Sequence, residues 1–217
     1  MTPEETTAWL AARNGKLTAS AMPKAMDKLK NGNSSARRRG YLLDVLGERL
    51  TGVSAWHFVN DAMEWGIEHE QEAKDAWVAR TGRTIHKSRF YDHPVIANFG
   101  ATPDGELDGN GLLEVKCPTT PTFIEWVMAG VVPEEHRAQM TAQLLCTGRK
   151  WVGFLAYDPR IRDERRQLFM RKFVPTEAER QAVEQAALDF LAEVDEMYDR
   201  FVSAGLAEAA PALAAQG

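Results

Sequence analysis

The chain has 217 residues, 44% of them hydrophobic and 26% charged, with a formal net charge of -5 and two cysteines. That length and balance suit one compact domain, and no window approaches the ~20 uninterrupted apolar residues of a membrane span. Two cysteines are too few for a disulfide framework or a thiolate zinc site, the acidic start is unlike a secretory leader, and a cytoplasmic protein with reduced thiols is expected.

Thr18 and Ser20 are good helix caps and predict a helix over residues 21–29, and a polar loop over 30–35 leads to a second helix over 37–50. Leu42, Leu43, Val45, Leu46 and Leu50 fall near one side of it. A longer helix over 61–80 carries Met63, Ile67, Ala73, Ala76 and Trp77 as an apolar stripe and stops at Gly82. The period then changes. Residues 85–91, 99–107 and 111–116 are short runs punctuated by Gly, Pro, Asn and Asp, the pattern of strands joined by tight turns. Helices follow over 122–128 and 133–147, then strands over 151–157 and 167–174 that are predicted to pair across the Asp158-Pro159 turn. Thr176 opens a last long helix with Glu179 completing a capping box, and Val183, Ala187, Phe190, Leu191, Val194, Met197 and Phe201 line its buried side. From residue 204 to 217 the alanine-rich end, interrupted by Pro211, reads as a frayed tail on a single domain spanning 1–217. The order predicts an α/β (α+β) fold with a central mixed sheet flanked by helices.

The chemistry concentrates in residues 101–118, ATPDGELDGNGLLEVKCP. Strand alternation puts Leu113 and Val115 on one face and Glu114 and Lys116 on the other, with the latter two Cα atoms ~6.5–7 Å apart. The turn Asp108-Gly109-Asn110-Gly111 folds the flanking strands together and sets Asp104 beside Glu114. Two carboxylates with a backbone carbonyl such as that of Val115 make a hard-oxygen site suited to Mg²⁺. Lys116 adds a positive point charge near an attacking water or the phosphoryl oxygens. Glu-x-Lys alone is common on solvated strand faces, so its neighbours carry the weight. Glu70, one turn beyond Gly66, offers a third carboxylate from a helix, and the missing side chain at Gly66 leaves room for close approach. Gln139 and Gln143 share one helix face with His136 a turn earlier, so their amides can reach a water or a phosphate.

Six segments, GKLTAS (15–20), EWGIEHEQEA (64–73), TPDGEL (102–107), GLLEVKCP (111–118), AQMTAQ (138–143) and YDPR (157–160), resemble the phage-type alkaline exonucleases, the lambda exonuclease and YqaJ-like family. They occur in the family's order over most of the chain. The resemblance implies a PD-(D/E)xK restriction-endonuclease-like core and a Mg-dependent 5′–3′ exonuclease. Such an enzyme digests double-stranded DNA ends to mononucleotides and leaves 3′ single-stranded DNA for phage-type recombination by annealing. It implies Asp104 and Glu114 as metal ligands, Lys116 as the catalytic lysine, Glu70 as the helix carboxylate and Gln139 as the active-site glutamine. Two ions per site are expected, Mg²⁺ or alternatively Mn²⁺. Arg13, with Ser20, matches the residues that bind the terminal 5′-phosphate. A homotrimeric ring threading DNA, a single-strand annealing protein as partner, and a phage or prophage origin in a bacterial cytoplasm are implied as well.

Several residues keep two readings. Where the family often has a tyrosine, this chain has His136. Met63 falls where the family places an apolar wedge for the terminal base pair, and it equally fits the core stripe. Trp9 suits a base-stacking platform or a buried anchor for the first helix. Arg37, Arg38, Arg39, Arg160, Arg162, Arg165, Arg166 and Arg171 could track a phosphate backbone or line a solvated face. Arg149 and Lys150 complement a helix end without any nucleic acid. Neither Cys117 nor Cys146 has a neighbour in the sequence that would make it a nucleophile. Two other functions fit the same core: a metal-dependent endonuclease or junction resolvase, and a non-catalytic DNA-end-binding module.

Overall fold

The computed structural model describes residues 2–54 and 61–207. Helix α1 (Pro3–Arg13) starts on a capping box in which Thr2 and Glu5 exchange backbone and side-chain bonds, and it delivers Arg13 to strand β1 (Leu17–Thr18). A 3-10 turn and the one-turn helix α2 (Met22–Ala25) follow, shorter than the helix predicted over 21–29. Lys28 pairs across the polar loop with Ser34 instead of continuing the helix. Helix α3 (Ala36–Thr51) is capped by Ser35, whose hydroxyl accepts the Arg38 N–H, and ends at Gly52 in the left-handed region. Leu42, Val45 and Leu46 are buried, while Leu43 faces solvent. Helix α4 (Asp61–Thr81) buries Ala73 and Trp77 in its second half. Ile67, expected on the same stripe, is 70% exposed.

The middle of the chain departs from the predicted strands. Strand β2 (Tyr91–Asp92) is all that remains of the strand expected over 85–91, with one isolated bridge from His86 to Glu106. The expected strand over 99–107 divides into β3 (Phe99–Ala101) and β4 (Gly105–Leu107), which belong to different sheets. Pro103 lies between them and lacks the N–H a continuous ladder needs. Strand β5 (Gly111–Lys116) pairs antiparallel with β4 across a turn in which Gly109 and Asn110 adopt φ values of 71° and 61°, the left-handed pair that suits a tight hairpin. Helices α5 (Thr120–Ala129) and α6 (Glu134–Thr147) carry the chain over to strand β6 (Trp151–Tyr157), which lies parallel to β5, and β7 (Leu168–Phe173) returns antiparallel. Helix α7 (Glu177–Ala207) opens with the expected capping box between Thr176 and Glu179. Its residues Val183, Ala187, Phe190, Leu191 and Val194 are buried, but Phe201 is 62% exposed because the helix outruns the core. Residues 208–217 of the expected tail lie outside the described residues.

Two mixed sheets result, β1-β3-β2 and β4-β5-β6-β7, in a helix-flanked α/β architecture. One face of the larger sheet packs Leu113, Val115, Leu155 and Tyr157 with Ala73 and Trp77 of α4. The other packs Leu112, Phe154, Val152 and Phe169 with Phe123 of α5 and Met140 and Leu144 of α6. The smaller sheet joins α2, α3, α6 and α7 in a third cluster around Leu17, Phe99, Leu42, Ala142 and Phe190. Helix α6 therefore belongs to two cores at once, which fixes its position against β5. Among the described residues no helix is long and apolar enough to cross a membrane.

Candidate active site

The β4–β5 hairpin sets the spacing of the first two carboxylates. Asp104, just before β4, donates its N–H to the Leu113 carbonyl at 3.1 Å, and its Oδ2 accepts the Val115 N–H at 2.7 Å. Glu114 lies mid-strand with its side chain toward α6 and is 1% exposed. A carboxylate buried that deeply is costly unless each oxygen is bonded. Its Oε1 accepts from Gln139 at 2.6 Å and pairs with the Lys116 ammonium at 2.5 Å, and its Oε2 accepts from Gln143 at 2.5 Å. Residues four apart on a helix face the same way, so α6 offers both amides to one carboxylate. Lys116 also donates to Gln139 Oε1 at 3.4 Å. Asp104, Glu114 and Lys116 thus converge, as the strand alternation predicts.

Electrostatics at this place are dominated by negative charge. Burial raises the Asp104 carboxyl well above the usual carboxylate range, and the charges of Glu114 and Glu70 raise it further against the opposing pull of Lys116. Burial by itself would lower the Lys116 ammonium, but Glu114 and Asp104 outweigh it and leave it raised, so Lys116 keeps its proton. His136 is depressed to about 4 by burial and then by Lys116, and its ring, between Trp126 and Phe154, is neutral. Glu70 acts on the same groups from α4 while its Oε1 is held by Lys74 at 2.5 Å.

This donor set fits a hard divalent cation: carboxylate oxygens outnumber the nearby amines, and the burial that raises Asp104 is relieved by a bound positive charge. Among the described residues no three His, Cys, Asp or Glu side chains already stand at ligand spacing. Glu114 is held by amides and Lys116, and Glu70 by Lys74, so cation binding would exchange those partners.

Residues 8–150, which contain every charged and amide group just described, match the model of the YqaJ-like viral recombinase domain. The chain belongs to that family. An alkaline exonuclease from Laribacter hongkongensis is 36% identical, with a TM-score of 0.84 over 94% of this chain and 100% of that one. Its complex with dAMP matches equally well. A phage related exonuclease from Haemophilus somnus 129PT, 13% identical with a TM-score of 0.62 over 87% of this chain and 95% of that one, shares the fold. No curated protein matches the chain.

The remaining residues expected in a YqaJ-like site are placed unevenly. Arg13 is half-buried beside a cavity of about 130 Å³ that Trp9, Lys16, Thr18, Tyr41 and Glu48 also line. Ser20 is exposed, its hydroxyl 3.3 Å from that of Thr18. Met63 sits in the first turn of α4, and its side chain lies outside the described residues. Gln143, expected to reach phosphate, is 0% exposed: Glu114 needs it as an internal donor. Val115 gives its N–H to Asp104 and its side chain to the α4 core.

Most of the arginine run is tethered within the protein. Arg38 is 3% exposed and forms a forked pair with Glu193 at 2.6 and 2.7 Å, which removes it from any DNA path. Arg160 pairs with Asp158 at 2.7 Å and donates to the Pro118 carbonyl, and Arg165 and Arg166 face Asp163. Arg149 pairs with Glu106 inside the hairpin. Burial pushes both thiols, Cys117 and Cys146, up to about 12, so neither is a nucleophile at neutral pH. Two contributors went unpredicted. Lys74 follows Glu70 by four residues, a helix spacing that would have flagged it. Asp158, buried just after β6, was read only as the start of a turn and as part of the YDPR segment.

Proposed function

We propose that this YqaJ-like chain is a metal-dependent exonuclease that digests double-stranded DNA from 5′ ends. That it is a nuclease of the phage-recombinase type rests on the family and on its likeness to an alkaline exonuclease. The finer reading is carried by one observation: the Lys116 ammonium lies 2.5 Å from Glu114 on the hairpin that also presents Asp104. Asp104, Glu114, the Val115 carbonyl and Glu70 would hold the cation, which we read as two ions of Mg²⁺ or Mn²⁺. Bound there, a divalent cation supplies charge stabilisation to the phosphodiester oxygens during in-line displacement.

The chain's own groups do the rest. Gln139 and Gln143 hold the Glu114 carboxylate in one orientation, so that little reorganisation is needed as charge develops. Lys116 orients or deprotonates the attacking water; its proton is held in the metal-free site by Glu114 and Asp104, the carboxylates that a cation would take over. Water adds to phosphorus, the P–O3′ bond breaks, a mononucleotide leaves and the shortened strand begins with a new 5′-phosphate. Arg13 suits that end: it lines the cavity beside Thr18, where burial opposes its charge and Glu48 favours it, and an incoming anion would relieve the same burial.

In the same reading residues 1–217 form one nuclease domain of the PD-(D/E)xK type in the cytoplasm of a bacterial host. A homotrimeric ring and a single-strand annealing protein complete it. A ring would let topology hold DNA where a net charge of -5 does not. Support for assembly comes from Ile124, Val127, Met128 and Val131, exposed apolar residues at helical spacing on and just after α5.

The test is digestion of linear duplex carrying different labels at its 5′ and 3′ ends, with and without chelator, beside a covalently closed circle. The 5′ label is expected to leave first, as a mononucleotide, only when the metal is free, while the circle stays intact. Early release of the 3′ label, or cutting of the circle, overturns the reading. Light scattering that finds a monomer at every concentration removes the ring.

A further inference from the structure

Arg13 and Asp104 sit on different elements, 91 positions apart in the sequence by their numbers, yet both touch structure that passes through Trp9. The guanidinium of Arg13 lies over the Trp9 ring at 4.0 Å from its centroid. The same indole donates its ring N–H to Thr102 Oγ1 at 3.1 Å. Thr102 stands two residues before Asp104, in the bend where the chain leaves one sheet for the other. The backbone runs in parallel with this link: β1 carries Thr18 beside Gly100 of β3, and β3 leads directly into Thr102.

We propose that Trp9 is a positioning residue that sets the terminal-phosphate group Arg13 in register with the catalytic hairpin at Asp104. The indole offers one face to the cation and one edge to the loop, so movement of either is felt by the other. Burial opposes the Arg13 charge and Glu48, on the same cavity, favours it, and the indole face adds a second support. An ion pair would compete with the phosphate, whereas an aromatic face steadies the cation and leaves its N–H groups available. The neighbouring cavity, about 130 Å³, has room for a terminal phosphate. A 5′-phosphate seated on Arg13 then fixes where the next phosphodiester falls relative to Asp104. This deepens the exonuclease reading above and rests on its assignment of Arg13 to the 5′ end.

Steady-state digestion of duplexes with 5′-phosphate and with 5′-hydroxyl ends separates the two arms of the link. The parent is expected to prefer the phosphorylated end. Trp9→Leu removes both shelf and bond, and should cut that preference, as a ratio of kcat/KM, by about fivefold to thirtyfold. Trp9→Phe keeps an aromatic face but loses the N–H. It should keep KM for phosphorylated ends within about twofold while kcat falls about fivefold. Thr102→Val breaks the same bond from the other side without touching α1 and should repeat that loss of kcat. If Trp9→Leu slows both ends equally and leaves the ratio at the parental value, Trp9 is only an anchor for α1 and the inference fails. Should Trp9→Leu not fold, parental kcat in both Trp9→Phe and Thr102→Val overturns it. A parent that treats the two ends alike overturns the phosphate assignment of Arg13 and the inference with it. A parent that discriminates, with variants that discriminate equally well, sinks the inference alone.

Discussion

Toward α4, strand β5 presents Leu113 and Val115 to Ala73 and Trp77, and the cluster they form is apolar throughout. Toward α6 the same strand presents Leu112 to Met140 and Leu144, and then Glu114 to Gln139 and Gln143. Both faces are closed to water, and Glu114 at 1% exposure is as inaccessible as its apolar neighbours. Burial therefore does not separate the structural face from the chemical one; partners do. Two amides four residues apart and one ammonium make a charge tolerable where the other face would reject it. The consequence for function is a carboxylate held in place before any substrate arrives.

The strongest way to break this contrast is Lys116→Ala. Loss of the only ammonium bonded to Glu114 among the described residues should lower hydrolysis by about 10²–10⁴-fold with duplex binding largely kept, read by single-turnover digestion beside a gel-shift titration. Parental turnover in that variant would remove Lys116 from the chemistry. The opposite face should behave differently. Trp77→Ala is expected to cost about 3–5 kcal/mol in denaturant unfolding, while the molecules still folded at low temperature digest DNA at the parental rate. Gln143→Leu sharpens the comparison, because it removes a donor from Glu114 without removing much volume. An unsatisfied carboxylate oxygen should cost about 1–3 kcal/mol of stability and also slow turnover, a joint loss Trp77→Ala does not share.

These two faces were not equally legible. Glu114, Lys116 and the hairpin beside Asp104 could be read because alternation and turn chemistry are local, and β5, β6, α6 and α7 came through for the same reason. The family resemblance, with motifs spread along the chain, then gave a family and a fold, and the family match and the structure bear those out. What stayed hidden was non-local. Gln143 reads as an amide within reach of a water or a phosphate until β5 is laid against it, and Arg38 reads as tracking a phosphate backbone or lining a solvated face until Glu193, 155 positions away, takes both its terminal nitrogens. Residues 99–107 look like one strand by composition, and only the two sheets, with Pro103 between them, divide it. Trp9 offered two roles in the sequence, and its bond to Thr102 is a third that spacing could not suggest.

Asp104 gives a smaller effect of opposite sign on stability and activity. Its carboxyl is raised in the folded chain, chiefly by burial, so between the ordinary carboxylate range and that raised value only the native state holds the proton. Stability should fall as pH rises through this window and stay reduced above it, because the unfolded state releases its proton first. Asp104→Asn removes the charge and can keep the acceptor for the Val115 N–H. Without metal at neutral pH it is expected to raise Tm by a few degrees while hydrolysis is lost. In the parent, adding Mg²⁺ should recover the stability that Asn supplies, and no gain of Tm should follow in the variant. Equal stabilisation of both by Mg²⁺ would take Asp104 out of the cation's shell.

The smallest expected change lies on α4 itself, where the apolar face gives out. Sequence periodicity places Ile67 on the stripe of Ala73 and Trp77, but the residue is 70% exposed and the packed part of the helix begins later. An exposed isoleucine removed from water by nothing contributes little to folding, so Ile67→Ser should change unfolding free energy by no more than about 0.5 kcal/mol. The charge of Glu70, three residues on, acts on Asp104, so the same variant also tests whether this half of α4 serves the chemistry rather than the core. A stability loss of core size would mean that Ile67 is covered in solution, and an assembled ring would be the first cover to examine by light scattering of parent and variant. A neutral result leaves α4 with two halves of different purpose: one that anchors the sheet, and one whose task is to bring a carboxylate to the end of β5.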